Sequence, residues 1–136
     1  MKVINLGEQN SVLNQFVSEI RDVNIQKDSL RFRRNLERIG EIFAYEISKT
    51  LNYVPSEVET PLGIANIQLC NQTIVLGTIL RAGLPLHQGL LNYFDCAQNS
   101  FIAAYRKYGK DNKFTIQIEY ASSPKLEGKI LILADT

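Results

Sequence analysis

Leu13, Phe16, Val17 and Ile20 recur at the spacing of one helical face, which predicts a short amphipathic helix over about residues 11–21. A longer stripe follows in Phe32, Leu36, Ile39, Phe43, Ile47 and Leu51, with Asp28 or Ser29 placed to cap its start. Arg33 and Glu37 are spaced for an i,i+4 pair on its polar side. After Leu51 the period shortens. Val54–Val58 and Ile64–Leu69 are short extended runs around Thr60-Pro61-Leu62-Gly63, a turn signal, and together they predict a β-hairpin arm. Its mixed polarity makes it a poor core element, so packing against another subunit is expected.

The second half of the chain alternates strand and helix. Thr73–Leu80 is an apolar, β-branched run of the kind buried in a parallel sheet, and Gly83 to about Tyr93 is a helix carrying Leu84, Leu86, Leu90 and Leu91. Phe101–Tyr105 reads as a strand ending in Arg106, and Tyr108–Lys113 as a polar turn. Phe114–Tyr120 alternates as a half-exposed strand. Ser122-Ser123-Pro124 and Glu127-Gly128 lead into a last strand, Lys129–Ala134, followed by Asp135 and Thr136. The order predicts an α/β fold: a mostly parallel sheet flanked by helices, preceded by two helices and the arm. Such folds bind ligands beyond the carboxyl ends of their strands, where Arg81 and Asp135 fall.

Composition narrows the reading. The 136 residues, 45% hydrophobic and 21% charged, suffice for one domain with a proper core. A net charge of +1 gives no reason to expect charge-driven nucleic-acid binding, so any anion must be gripped locally. The cluster Arg31, Arg33, Arg34 and Arg38 could offer a phosphate or RNA surface. Interleaved with Glu37, Glu41 and Glu46, it reads better as a solvated helix face. Cys70 and Cys96 fit neither a disulfide framework nor a zinc spacing and are expected to be free, buried thiols. No apolar run suits a signal peptide or a membrane span, so a soluble cytoplasmic protein is expected.

Few residues carry chemistry by type and place. Arg81-Ala82-Gly83 lies between a strand and a helix, where glycine permits a close approach or an unusual φ. The helix start there offers N–H groups to an anion, and the guanidinium suits phosphate oxygens. Taken alone, this is also an ordinary tight turn with a solvated arginine. Arg106 could face the same crevice or solvent. Asp135 could hold ribose hydroxyls or a metal-bound sugar phosphate, or cap a following helix. His87 suits packing or an interface better than general-base chemistry, since nothing is spaced to form a triad with it. Tyr105, Tyr108 and Tyr120 could stack a base or simply fill strands.

Taken together, Ile79-Leu80-Arg81-Ala82-Gly83-Leu84 with Gly89-Leu90-Leu91, Ala104-Tyr105-Arg106-Lys107 and Lys129–Asp135 closely resemble the uracil phosphoribosyltransferases, of the type I phosphoribosyltransferase family. Phe32-Arg33, Ala44-Tyr45-Glu46 and Glu59-Thr60-Pro61-Leu62-Gly63 match in the same order, so the resemblance runs from about Leu13 to the last residue. It implies a single phosphoribosyltransferase domain over residues 1–136, with a helical part (1–52), the arm (53–70) and the sheet core (71–136).

The reaction implied is uracil plus phosphoribosyl pyrophosphate giving UMP and pyrophosphate, in pyrimidine salvage. Mg²⁺ would accompany the phosphoribosyl pyrophosphate, GTP is a possible activator, and a homodimer or higher homo-oligomer is expected. By position, Arg81 would bind the pyrophosphate, the Ala82 and Gly83 backbone would shape its loop, and Arg106 would be a second ligand. Asp135 and Thr136 would open the ribose 5-phosphate loop, which the family writes Asp-Pro-Met-Leu-Ala-Thr-Gly; Thr136 stands in place of its proline. The chain is expected to be incomplete at its carboxyl end. By itself it is expected to be inactive and to bind phosphoribosyl pyrophosphate weakly or undetectably. The alternative is a non-catalytic, phosphoribosyltransferase-like regulator of nucleotide or RNA, which the near-neutral charge disfavours.

Overall fold

The computed structural model describes residues 3–108 and 113–136; four residues of the turn expected at Tyr108–Lys113 lie outside the described residues. Helix α1 (Val12–Arg21) starts at Ser11, whose hydroxyl accepts from the Leu13 N–H. Helix α2 (Ser29–Ser48) starts at Asp28, whose carboxylate accepts from the N–H groups of Leu30 and Arg31. It ends before Leu51, which still packs half-buried against the core. The arm is the hairpin β1 (Tyr53–Thr60) and β2 (Gly63–Cys70), antiparallel, with Pro61-Leu62 at its tip. Gly63, at φ 125°, takes a backbone conformation that side chains disfavour.

Strand β3 (Ile74–Leu80) leads to α3 (Leu84–Leu91), then β4 (Gln98–Tyr108), β5 (Phe114–Ser122) and β6 (Ile130–Ala134). The sheet order is β5-β4-β3-β6. β3 runs parallel to both β4 and β6, and β5 joins antiparallel at one edge. Ile74, Leu76, Ile132 and Ala134 form one face of the central strands and pack with Leu13, Ile39, Leu86 and Leu90 of the helices. On the other face Leu131 and Leu133 lie over Gly77 and remain 47% and 58% exposed.

Three expectations are corrected. β5 is not half-exposed: Phe114, Ile116, Ile118 and Tyr120 are all open to solvent, because β5 is an edge strand and, among the described residues, no helix covers this side of it. Cys70 and Cys96 are free but exposed, since Cys70 is the last residue of β2 and Cys96 lies in the α3–β4 connection, neither on a core face. Glu37 pairs with Arg34 at 2.6 Å, not with Arg33, and it also accepts from Asn92 across the α2–α3 contact. The other α2 arginines are held locally. Arg31 pairs with Glu19, and Arg38 donates to Asn35 while lying over the Phe16 ring.

The helices meet backbone to backbone. A Cβ on Gly40 would collide with the Leu86 carbonyl, and one on Gly89 with the Glu37 carbonyl. Neither obstacle is a flexible side chain, so Gly89→Ala should push α3 off α2 and cost about 1–3 kcal/mol of stability. Urea unfolding measures this, and a midpoint equal to that of the parent would show that the crossing has slack.

Candidate functional site

Of the residues singled out in the sequence, Arg81 and Asp135 follow the carboxyl ends of the neighbouring strands β3 and β6. Thr78 lies opposite Ala134 in the parallel register, so the segments leaving both strands start side by side. From β3 the chain runs through Arg81 and Ala82, both exposed, to buried Gly83, with a cis bond between Leu80 and Arg81. The Leu84 N–H donates to the Arg81 carbonyl at 3.2 Å, closing the turn, and no side chain caps α3. Gly83 has an ordinary φ of −71°, so glycine is required here by space rather than by backbone conformation. A Cβ would strike the Thr78 hydroxyl and lie 3.0 Å from the Ala134 carbonyl. The turn is therefore seated on the end of β6, one residue before Asp135. Asp135 and Thr136 are exposed.

Thr78 was not singled out in the sequence. Its hydroxyl is fully buried under Gly83 with no hydrogen-bond partner among the described residues. Within an apolar run, a single threonine looks like strand filler, so only the fold reveals its position.

Arg106 departs from the expectation that it ends its strand. β4 continues to Tyr108, and Arg106 lies beyond Ala103, the residue paired with the last residue of β3. Its guanidinium rests over the Phe114 ring at 5.0 Å. One residue earlier, burial and then the neighbouring Glu119 carboxylate raise the Tyr105 pKa.

His87 is buried in α3 against the Phe101 ring, with centroids 5.3 Å apart. It packs below the loop, and the described residues place no acid or nucleophile with it as a triad. Burial lowers its pKa, opposed in part by the Leu76 carbonyl and the Asn99 side chain, which favour the charged form. The described residues contain no cluster of three or more His, Cys, Asp or Glu side chains able to hold a metal ion.

The arrangement presents an exposed guanidinium, whose N–H groups suit an anion, and an exposed carboxylate at the ends of neighbouring strands. The family model described as uracil phosphoribosyltransferase matches residues 7–135. The chain belongs to this family. A Porphyromonas gingivalis protein named uracil phosphoribosyltransferase is 55% identical over 135 residues, which are 99% of this chain and 62% of that protein. One of the same name from Methanothermobacter thermautotrophicus is 38% identical over 128 residues, 93% of this chain and 58% of the relative. Among solved structures, the AQ2163 protein of Aquifex aeolicus superposes with a TM-score of 0.79 at 27% identity, over 93% of this chain and 59% of its own. The family member described here thus spans about three-fifths of the length of the relatives it matches.

The buried histidine sets a pH dependence. Its folded pKa lies below the usual 6.5, so on acidification the unfolded chain takes up the proton first. Stability should be full above about pH 6.5 and fall as the pH drops through that value. Glu19, lowered chiefly by the hydrogen bond from Asn35, and Asp22, lowered by the Asn24 N–H, act only in more acid solution. Melting curves between about pH 7.5 and 5.5 should show the loss in the parent and a flatter profile in His87→Leu. Equal slopes in the two proteins would remove His87 as the cause.

Proposed function

We propose that this chain carries the pyrophosphate-binding part of a uracil phosphoribosyltransferase: uracil and phosphoribosyl pyrophosphate give UMP and pyrophosphate. The observation that carries the reading is the seating of Gly83 on Thr78 and Ala134, which sets Arg81 and Asp135 at the ends of neighbouring parallel strands. The names of the relatives support the substrates.

In the reaction, uracil N1 bonds to the anomeric carbon as the bond from that carbon to pyrophosphate breaks, and the N1 proton is lost. Negative charge grows on the departing pyrophosphate, and positive charge grows on the sugar ring. No protein nucleophile is needed. Arg81 would bind pyrophosphate oxygens through in-plane N–H groups, and the Ala82-Gly83 backbone would shape the loop around them. Arg106 would add a second cation from β4. Asp135 would hold the ribose side, with Thr136 beside it. Mg²⁺ arriving with the substrate would neutralise further charge on the leaving group.

An NMR titration of the chain with Mg²⁺ and phosphoribosyl pyrophosphate tests this, because it registers weak binding. Arg81, Ala82, Gly83, Arg106, Asp135 and Thr136 should shift together. Arg81→Ala should weaken binding about 10- to 100-fold, the usual worth of a charge-assisted hydrogen bond. Arg81→Lys should recover part of the loss, because a point charge lacks the guanidinium geometry. Unchanged affinity in Arg81→Ala would sink the assignment.

The arm bears on assembly. At its base Tyr53 donates to the Ser48 carbonyl and the Asn52 N–H donates to Gln72. Leu62, Ile64, Ile67 and Leu69 are exposed along it. We propose that the arm packs against a second copy of the chain across a twofold axis. Ile64→Asp or Ile67→Asp should then shift sedimentation toward monomer, whereas sedimentation like the parent would rule the arm out as an interface.

A further inference from the structure

The contact between Arg106 and Phe114 joins a residue of the proposed site to one that the site does not otherwise include. β4 and β5 pair antiparallel with Arg106 opposite Ile116, so Phe114 is the diagonal neighbour, two residues along β5 on the same face. The guanidinium carbon lies 5.0 Å from the ring centroid, within cation–π range. Both residues are exposed, and Phe114 is 49% open, so burial alone does not hold them together.

Stacking occupies the face of a guanidinium and leaves its N–H groups, which lie in the plane, free to meet an anion. A long arginine on an edge hairpin would otherwise have to give up rotamer freedom on binding, at a cost comparable with the interaction gained. The ring removes part of that freedom beforehand. β4 extends past the end of β3, and the stack sits on that extension.

We infer that Phe114 is a positioning residue: it holds the Arg106 guanidinium with its N–H edge available to the pyrophosphate group. The inference rests on the proposed function, from which Arg106 takes its role as a ligand. It adds a residue on β5 to a site otherwise built from the ends of β3, β4 and β6.

Two measurements on the chain test it. The first needs no ligand. The Arg106 Nε–H resonance, assigned by its disappearance in Arg106→Lys, should show a ring-current shift in the parent and in Phe114→Trp and lose it in Phe114→Leu. The second is the phosphoribosyl pyrophosphate titration with Mg²⁺. Phe114→Leu should weaken binding about 2- to 5-fold, and Phe114→Trp should restore it. Phe114→Leu combined with Arg106→Ala should bind no worse than Arg106→Ala alone, because the ring then has nothing to position.

A purely structural role for Phe114 would instead add its loss to that of Arg106→Ala, which would overturn the inference. So would an unshifted parent resonance, or a Phe114→Leu chain that binds like the parent. If the parent itself does not bind, or Arg81→Ala binds as well as the parent, the functional reading fails and the role of Phe114 falls with it. The resonance position distinguishes that outcome from failure of the stack alone.

Discussion

The contact of α2 with α3 through Gly40 and Gly89 is the constraint on which the arrangement depends. With no side chain on either residue, the helices approach until carbonyl groups of one meet the Cα positions of the other. That distance fixes α3 over β3 and therefore fixes where the turn before α3 comes to rest. Leu86 and Leu90 then complete the core against Ile39 and Leu76. The Asn92 amide donates to Glu37 and Glu41 and ties the far end of α3 back to α2. An extra methyl group at the crossing would propagate into the loop, because tightly packed interiors transmit displacement rather than absorb it.

A second close approach carries that order to the ligand side. Gly83 rests on the Thr78 hydroxyl and beside the Ala134 carbonyl, so strand β3, the turn and strand β6 share one point of contact. The Thr78 hydroxyl has no hydrogen-bond partner among the described residues. An unpartnered buried hydroxyl costs free energy, and the close packing of the turn over it offsets part of that cost. The geometry keeps Arg81 and Asp135 near one another although 54 residues separate them in the sequence.

The remaining surface divides by chemistry. Of the α2 arginines that might have formed a basic patch, Arg31 and Arg34 pair with Glu19 and Glu37, and Arg38 donates to Asn35. Exposed apolar side chains gather instead on the arm and on the sheet, where Leu131, Leu133, Ile116 and Ile118 face solvent. Parallel sheets in α/β folds are ordinarily covered on both faces. Here the described helices cover the face that carries Ile74, Leu76 and Ala134.

The sequence by itself determined the elements and the family. Helical stripes, the Thr60–Gly63 turn, the apolar strands and the Leu80-Arg81-Ala82-Gly83 motif are local signals: each depends on side chains close together in the chain, and the periods of 3.6 and 2 read them directly. The Asp28 cap was legible for the same reason. The tertiary structure alone decided what depends on neighbours distant in sequence. It put Glu37 with Arg34 and gave that carboxylate a second donor in Asn92 at the end of α3, and it left Cys70, Cys96, Ile116 and Ile118 exposed. It also required glycine at position 83 for space rather than for φ, buried Thr78 beneath the turn, and laid Arg106 on Phe114. Those contacts exist only once the strands have taken their register and the helices their distance, and no local pattern encodes either.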